Sequence, residues 1–168
     1  MKIERFGPFG YIGTVEINDI GRIDYDVEQV FVRGQCHSFA LALHQETDWP
    51  IVGFVAQAED DGDTKDSPGH CAVYCPQLDE YIDVRGHGAK QRYETLFGPT
   101  EVVPIPANEV HTLKHYLPIR PDAAKPFVKT VLANLFTELL DIHGEAVLQR
   151  DWRQYGTDRQ GDSGPFQS

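Results

Sequence analysis

Apolar residues fall into short alternating runs in the first half of the chain and into one long helical stripe towards its end. Tyr11-Ile12-Gly13-Thr14-Val15-Glu16-Ile17 alternates with β-branched residues and predicts a strand. Gln29-Val30-Phe31-Val32-Arg33 is a second short apolar run, stopped by Gly34. From Cys36 to about Glu46 good helix formers take over, with Cys36, Ala40 and Leu43 on one side and Phe39 adjoining it. Asp48-Trp49-Pro50 ends that helix, because the position before a proline disfavours helical dihedrals.

Ile51 to Ala56, His70 to Cys75 and Tyr81 to Arg85 predict three further strands. Pro76-Gln77-Leu78-Asp79 is suited to close the last two as a hairpin, and Gly86-His87-Gly88 ends the second of them. Asn108 is placed to cap a short helix running through His115, and Pro126 suits the first turn of another. Val128, Val131, Leu132, Leu135, Phe136, Leu139 and Leu140 then form a helical stripe that stops near Gly144, and Glu145 to Gln154 predicts one more helix. The expected class is α+β, with one early helix set against several strands and helices trailing. One domain is expected over residues 1–155, followed by a flexible polar tail over 156–168.

Composition narrows the functional classes. At 40% apolar and 11% aromatic residues the 168-residue chain has material for a packed core. Its net charge of −11 argues against nucleic acid and anionic membranes as partners, since phosphate contacts need clustered Lys and Arg. It fits a neutral, cationic or peptidic partner. Much of the surplus lies in the run from Glu59 to Asp66, which reads as a solvated loop suited to act as a flap. There is no run of membrane-spanning length and no basic-then-apolar leader, so a cytoplasmic setting is expected. Three cysteines, an odd number, make no disulfide framework, so their use lies in chemistry or in packing.

Cys36 stands where a turn meets a helix. Unpaired backbone N–H groups and the positive dipole end favour a thiolate there, and the same groups can hold an oxyanion. A nucleophile needs a base, and the base needs an orienting partner. The chain offers His70 at the start of one strand and Asp83 in the next. An even-length hairpin loop pairs Cys75 with Glu80 and sets Ala72 opposite Asp83. His70 and Asp83 then lie diagonally on one face, whereas a loop one residue longer or shorter would part them.

Each of these residues also has a plainer use. Cys36 can be a packed thiol, His70 a hydrogen-bonding residue at a strand end, and Asp83 the partner of Arg85 or Arg92. Gln35 is either an oxyanion donor or a turn residue, and His37 is either an alternate base or, more simply, a polar cap. Cys71 and Cys75 share the face opposite His70, which assigns them to the core. A zinc site using His70, Cys71, Cys75 and His87 conflicts with that alternation and lacks the usual two-residue cysteine spacing. No metal or other cofactor is expected. His44-Gln45-Glu46 followed by paired cysteines imitates a nucleobase deaminase, but the cysteines are too far apart and the proline follows them.

Gly34-Gln35-Cys36-His37-Ser38-Phe39-Ala40, Trp49-Pro50-Ile51, Gly69-His70-Cys71-Ala72-Val73 and Tyr81-Ile82-Asp83-Val84-Arg85-Gly86 together resemble the papain-like superfamily. The closest style is that of its transglutaminase-like and NlpC/P60-like branches. The resemblance covers roughly residues 33–88. It implies a nucleophile helix packed on an antiparallel sheet, with Cys36 as nucleophile, His70 as general base and acid, and Asp83 orienting the imidazole. It also implies a peptide, protein or amide-containing substrate. One departure is that Cys71-Ala72-Val73 follows the histidine start, where transglutaminase-like proteins usually carry an aromatic. The competing expectation is a binding or accessory protein that keeps the fold without the chemistry.

Overall fold

The computed structural model describes residues 1–6, 12–56, 68–113 and 117–143. An antiparallel ribbon of β1 (Lys2–Phe6) and β2 (Ile12–Glu16) opens it, with Ile3 opposite Val15. Asp24 then starts α1 (Tyr25–Val32), its carboxylate accepting the Val27 N–H at 3.1 Å as an N-cap. The apolar run over residues 29–33 is therefore the end of a helix. Val27, Val30 and Phe31 are buried at helical spacing, a period too short in the sequence to outweigh its β-branched content.

Gly34 turns the chain from α1 into α2 (Cys36–Thr47). It holds φ +113°, and a Cβ there would sit 3.0 Å from the Phe6 backbone nitrogen, so both its conformation and its surroundings require glycine. Asp48 closes α2 in the left-handed region, and the buried Trp49 follows.

The strands β3 (Ile51–Ala56), β4 (His70–Cys75), β5 (Glu80–Asp83), β6 (Gly86–Gly88) and β7 (Thr100–Ile105) form an antiparallel sheet in the order β6-β5-β4-β3-β7. Cys75 pairs with Glu80 and Val73 with Ile82, the hairpin register anticipated from the loop length. The sheet is covered on both faces. Cys71, Val73 and Cys75 face a core shared with α1, α2 and α4 (Pro121–His143). Ala72, Tyr74, Phe54 and Tyr81 face a smaller aromatic cluster closed by Tyr93 of α3 (Lys90–Phe97). That double cover explains why every residue of β4 is buried.

The α+β class holds among the described residues, which form four α-helices and seven strands. Several details differ from expectation. Helix α4 begins at Pro121, five residues before Pro126, which lies inside it. Pro121 takes the first-turn position, where a missing N–H costs nothing. A single 3₁₀ turn, Val110–Thr112, stands near Asn108, and Glu109 rather than Asn108 precedes it. Elements β1, α3 and β7 were not anticipated, and Gly86–Gly88, expected to end a strand, is itself the edge strand β6. The acidic run over 59–66, the helix expected over 145–154 and the tail over 156–168 lie outside the described residues. No helix among the described residues is long and apolar enough to cross a membrane.

Gly34→Ala is expected to lower stability by about 2 kcal/mol, the cost of a non-glycine residue in a strained backbone region. Urea denaturation checks this, and an unchanged midpoint would show that the turn tolerates a side chain.

Candidate active site

Three elements deliver three side chains to one place. Cys36 is the first residue of α2, His70 the first of β4 and Asp83 the last of β5. Hydrogen bonding carries the β4 pairing back to Gly69, whose N–H donates to Phe54 O at 2.9 Å. The hairpin register places Ala72 level with Asp83, so His70 lies diagonally across from the carboxylate. His70 Nε2 and Asp83 Oδ2 are 2.9 Å apart. His70 is fully buried, Cys36 is 1% exposed and Asp83 2%.

The carboxylate fixes the tautomer. An ionised carboxylate only accepts hydrogen bonds, so Nε2 carries the proton it donates to Asp83. Nδ1 is buried with no oxygen or nitrogen partner. Cys36 is the second polar side chain acting on this ring, both as a hydrogen-bond partner and through its charge. The ring therefore presents one nitrogen to the carboxylate and keeps the other for the sulfur.

Electrostatics follow from these neighbours. Burial by itself lowers the His70 pKa, but hydrogen bonds with Asp83 and Cys36, reinforced by both their charges, raise it to about 9. Burial by itself raises the Asp83 pKa. Hydrogen bonds from His70 and Arg85 and their charges outweigh this and hold the carboxyl well below the usual range. Arg85 meets the carboxylate from the other side. Its Nε lies 3.2 Å from Oδ1 and 3.1 Å from Oδ2, its Nη2 donates to Oδ2, and its backbone N–H donates to Oδ1 at 2.8 Å. Arg92 Nη2 stands 4.0 Å from Oδ1. The imidazole partner and the arginine partners that Asp83 had as alternatives are thus satisfied together.

Aromatic rings wall the imidazole. Phe97 stacks on it at 5.2 Å between centroids and 19° between planes, and Tyr93 lies 5.6 Å away. Sequence reading missed both, because α3 carries only isolated apolar positions and no clear helical stripe. It also left Arg85 as a bland partner of Asp83. The signal that would have found it is the pair of positions, Asp83 and Arg85, flanking a single residue at the end of a buried strand.

Gln35 differs from the oxyanion donor considered for it. Its amide nitrogen donates to Glu4 O at 2.9 Å and to Pro118 O at 3.3 Å, and its Oε1 accepts from Ser38 Oγ at 2.6 Å. Both amide hydrogens are committed, so Gln35 clamps the helix start to β1 and to the segment before α4. His37 does not cap: α2 has no side-chain cap bond, and both His37 ring nitrogens are buried without a partner. Cys71 and Cys75 belong to the helix-side core, on the sheet face opposite His70, so these three cannot converge on one ion. Burial pushes the Cys75 thiol up to about 11, in keeping with an inert core cysteine.

The chain matches no protein-family model, no curated protein and no solved structure.

The depressed Asp83 carboxyl makes a stability prediction. A folded-state pKa below the unfolded value of about 3.9 contributes stability that is present above that pH and is lost as pH falls through the folded value. Asp83→Asn should cost about 3 kcal/mol at pH 7, because the imidazole and guanidinium lose their buried counter-charge. It should also shrink the loss of stability between pH 5 and pH 2. Equal stability of the two proteins at pH 7 would contradict this account of the carboxylate.

Proposed function

We propose that this protein is a thiol-dependent acyl-transfer enzyme of papain-like architecture, acting on a peptide, protein or other amide. The observation that carries the reading is the division of labour on the His70 ring, with Nε2 bonded to Asp83 and Nδ1 left for Cys36. In the neutral ring Nδ1 is the basic nitrogen. It takes the thiol proton, the sulfur attacks the acyl carbon, and a tetrahedral intermediate forms. The carbonyl oxygen gains negative charge. In place of the Gln35 amide, the positive dipole end at the start of α2 stabilises that oxygen. His70 then returns the proton to the departing amine, leaving the acyl group on sulfur. Water as second acceptor makes the protein an amidase or peptidase, and an amine makes it a transferase. Asp83 keeps Nε2 protonated throughout, so that Nδ1 alone exchanges the proton.

One observation favours a second reading, that of a non-catalytic binding or accessory protein with the same fold. Cys36, His70 and Asp83 are all closed off from solvent, as a packed thiol would be. In the catalytic reading a substrate reaches the sulfur only when part of this cover moves.

Alkylation of Cys36 by iodoacetamide separates the two. Opening of the cover scales the rate at every pH, so the shape of the profile reports the ionisation of the sulfur. The catalytic reading predicts a rate that falls only below about pH 6, against an ordinary thiol that turns on near about 8.5. His70→Ala should move the profile towards the ordinary thiol. A native protein that never labels, or a His70→Ala profile superposing on that of the unmodified protein, would overturn the reading.

A further inference from the structure

The buried carboxylate of the relay has a second, more intimate partner than the imidazole. Arg85 reaches both Asp83 oxygens through Nε and Nη2, and its own backbone N–H fixes Oδ1. The guanidinium is itself held. Its side chain is 11% exposed, and its central carbon lies 5.6 Å from the centroid of the Tyr93 ring. Tyr93 in turn stacks on Phe54 at 4.1 Å between centroids and 11° between planes. The cation therefore rests on a buried aromatic floor and is aimed at one carboxylate.

We propose that Arg85 is a positioning residue of the acyl-transfer relay, fixing the Asp83 carboxylate and setting by its charge the pH range in which sulfur and imidazole share a proton. This inference rests on the function proposed above. Asp83 faces two cations, and each weakens the pull of the carboxylate on the other. With Arg85 in place His70 feels a partly neutralised carboxylate. Without it the site is more negative, which favours protonated forms of both the imidazole and the sulfur.

The charged and titratable groups around the pair come from every neighbouring element. They are Cys36 of α2, His70 of β4, Arg92 and Tyr93 of α3, Glu28 of α1, whose charge acts on Arg85, and His87 of β6. His87 lines a cavity with Arg85 and is paired to Glu80 of β5 and Glu138 of α4. Arg92 is the only other cation within ion-pair distance of Asp83 among the described residues. It is more exposed and spends its donors on the carbonyls of His87 and Arg85. It reinforces Arg85 and does not replace it.

The test compares pH profiles of Cys36 alkylation in the full chain and in Arg85→Met, Arg85→Gln and Arg85→Lys, each checked for folding by thermal melting. Arg85→Met should move the acid limb up by about one pH unit, the size expected for losing one nearby buried charge. Arg85→Gln keeps an N–H donor for the carboxylate and loses the charge, so it should give the same shift, and it carries the test should the Met variant not fold. Arg85→Lys restores the charge and should return the limb to within a few tenths of a unit. Limbs that coincide with the unmodified protein in the Met or Gln variant would overturn the proposal, as would a Lys variant displaced as far as Gln. An ordinary thiol profile in the unmodified protein would overturn the relay and this inference together. A normal acid limb that ignores Arg85 would overturn the inference alone.

Discussion

The hydrogen bond between His70 Nε2 and Asp83 Oδ2, 2.9 Å long and shut away from water, is the constraint on which the rest of the site depends. A buried carboxylate with no partner would give up its charge, and a buried imidazole with no partner would stay neutral and free to turn. Held together across the β4–β5 hairpin, each gives the other a reason to be where it is. The hairpin supplies the register, and the covered sheet supplies the low-polarity surroundings that make the bond strong. Cys36 arrives from the other direction at the start of α2, anchored by the turn at Gly34 and by the Gln35 clamp.

Burying so many charged groups in one place is costly unless nearly every hydrogen-bonding position is matched. Asp83 meets this condition through His70 and Arg85, and Arg85 through Asp83 and the Tyr93 ring. The imidazole is held flat by Phe97. Exceptions at the site are His70 Nδ1, the Tyr93 hydroxyl beside the arginine, and both nitrogens of His37. Unmatched polar atoms of this kind concentrate where chemistry or binding needs them. Here they come from α2, β4 and α3, the elements around the imidazole.

Much of this was legible in the sequence for identifiable reasons. Cys36 announces itself because a glycine-containing turn runs directly into good helix formers. The register that joins His70 to Asp83 follows from counting the four loop residues between Cys75 and Glu80, since strand geometry has a period of two. The same alternation correctly sends Cys71 and Cys75 to the opposite face. What the sequence concealed depends on long-range contacts. Helix α3 has one fully buried residue and no strong stripe, so its role as the aromatic lid of the second sheet face is invisible without the sheet. Residues 29–32 look extended because Val and Phe dominate them, yet packing makes them helical. The Gln35 amide looked free beside the nucleophile, but its partners, Glu4 and Pro118, are 31 and 83 residues away along the chain. The clamp is a tertiary fact that no local pattern encodes.

The central claim is that sulfur, imidazole and carboxylate act as one coupled group, and ¹⁵N NMR of the His70 ring tests it most directly. The account predicts an imidazole still protonated at pH 7.5, titrating near pH 9, with Nε2 keeping its proton after the ring becomes neutral. Cys36→Ala should lower that midpoint. A ring already neutral at pH 7.5, with a titration that Cys36→Ala leaves unmoved, would contradict the account and leave the three residues as separate pieces of the core.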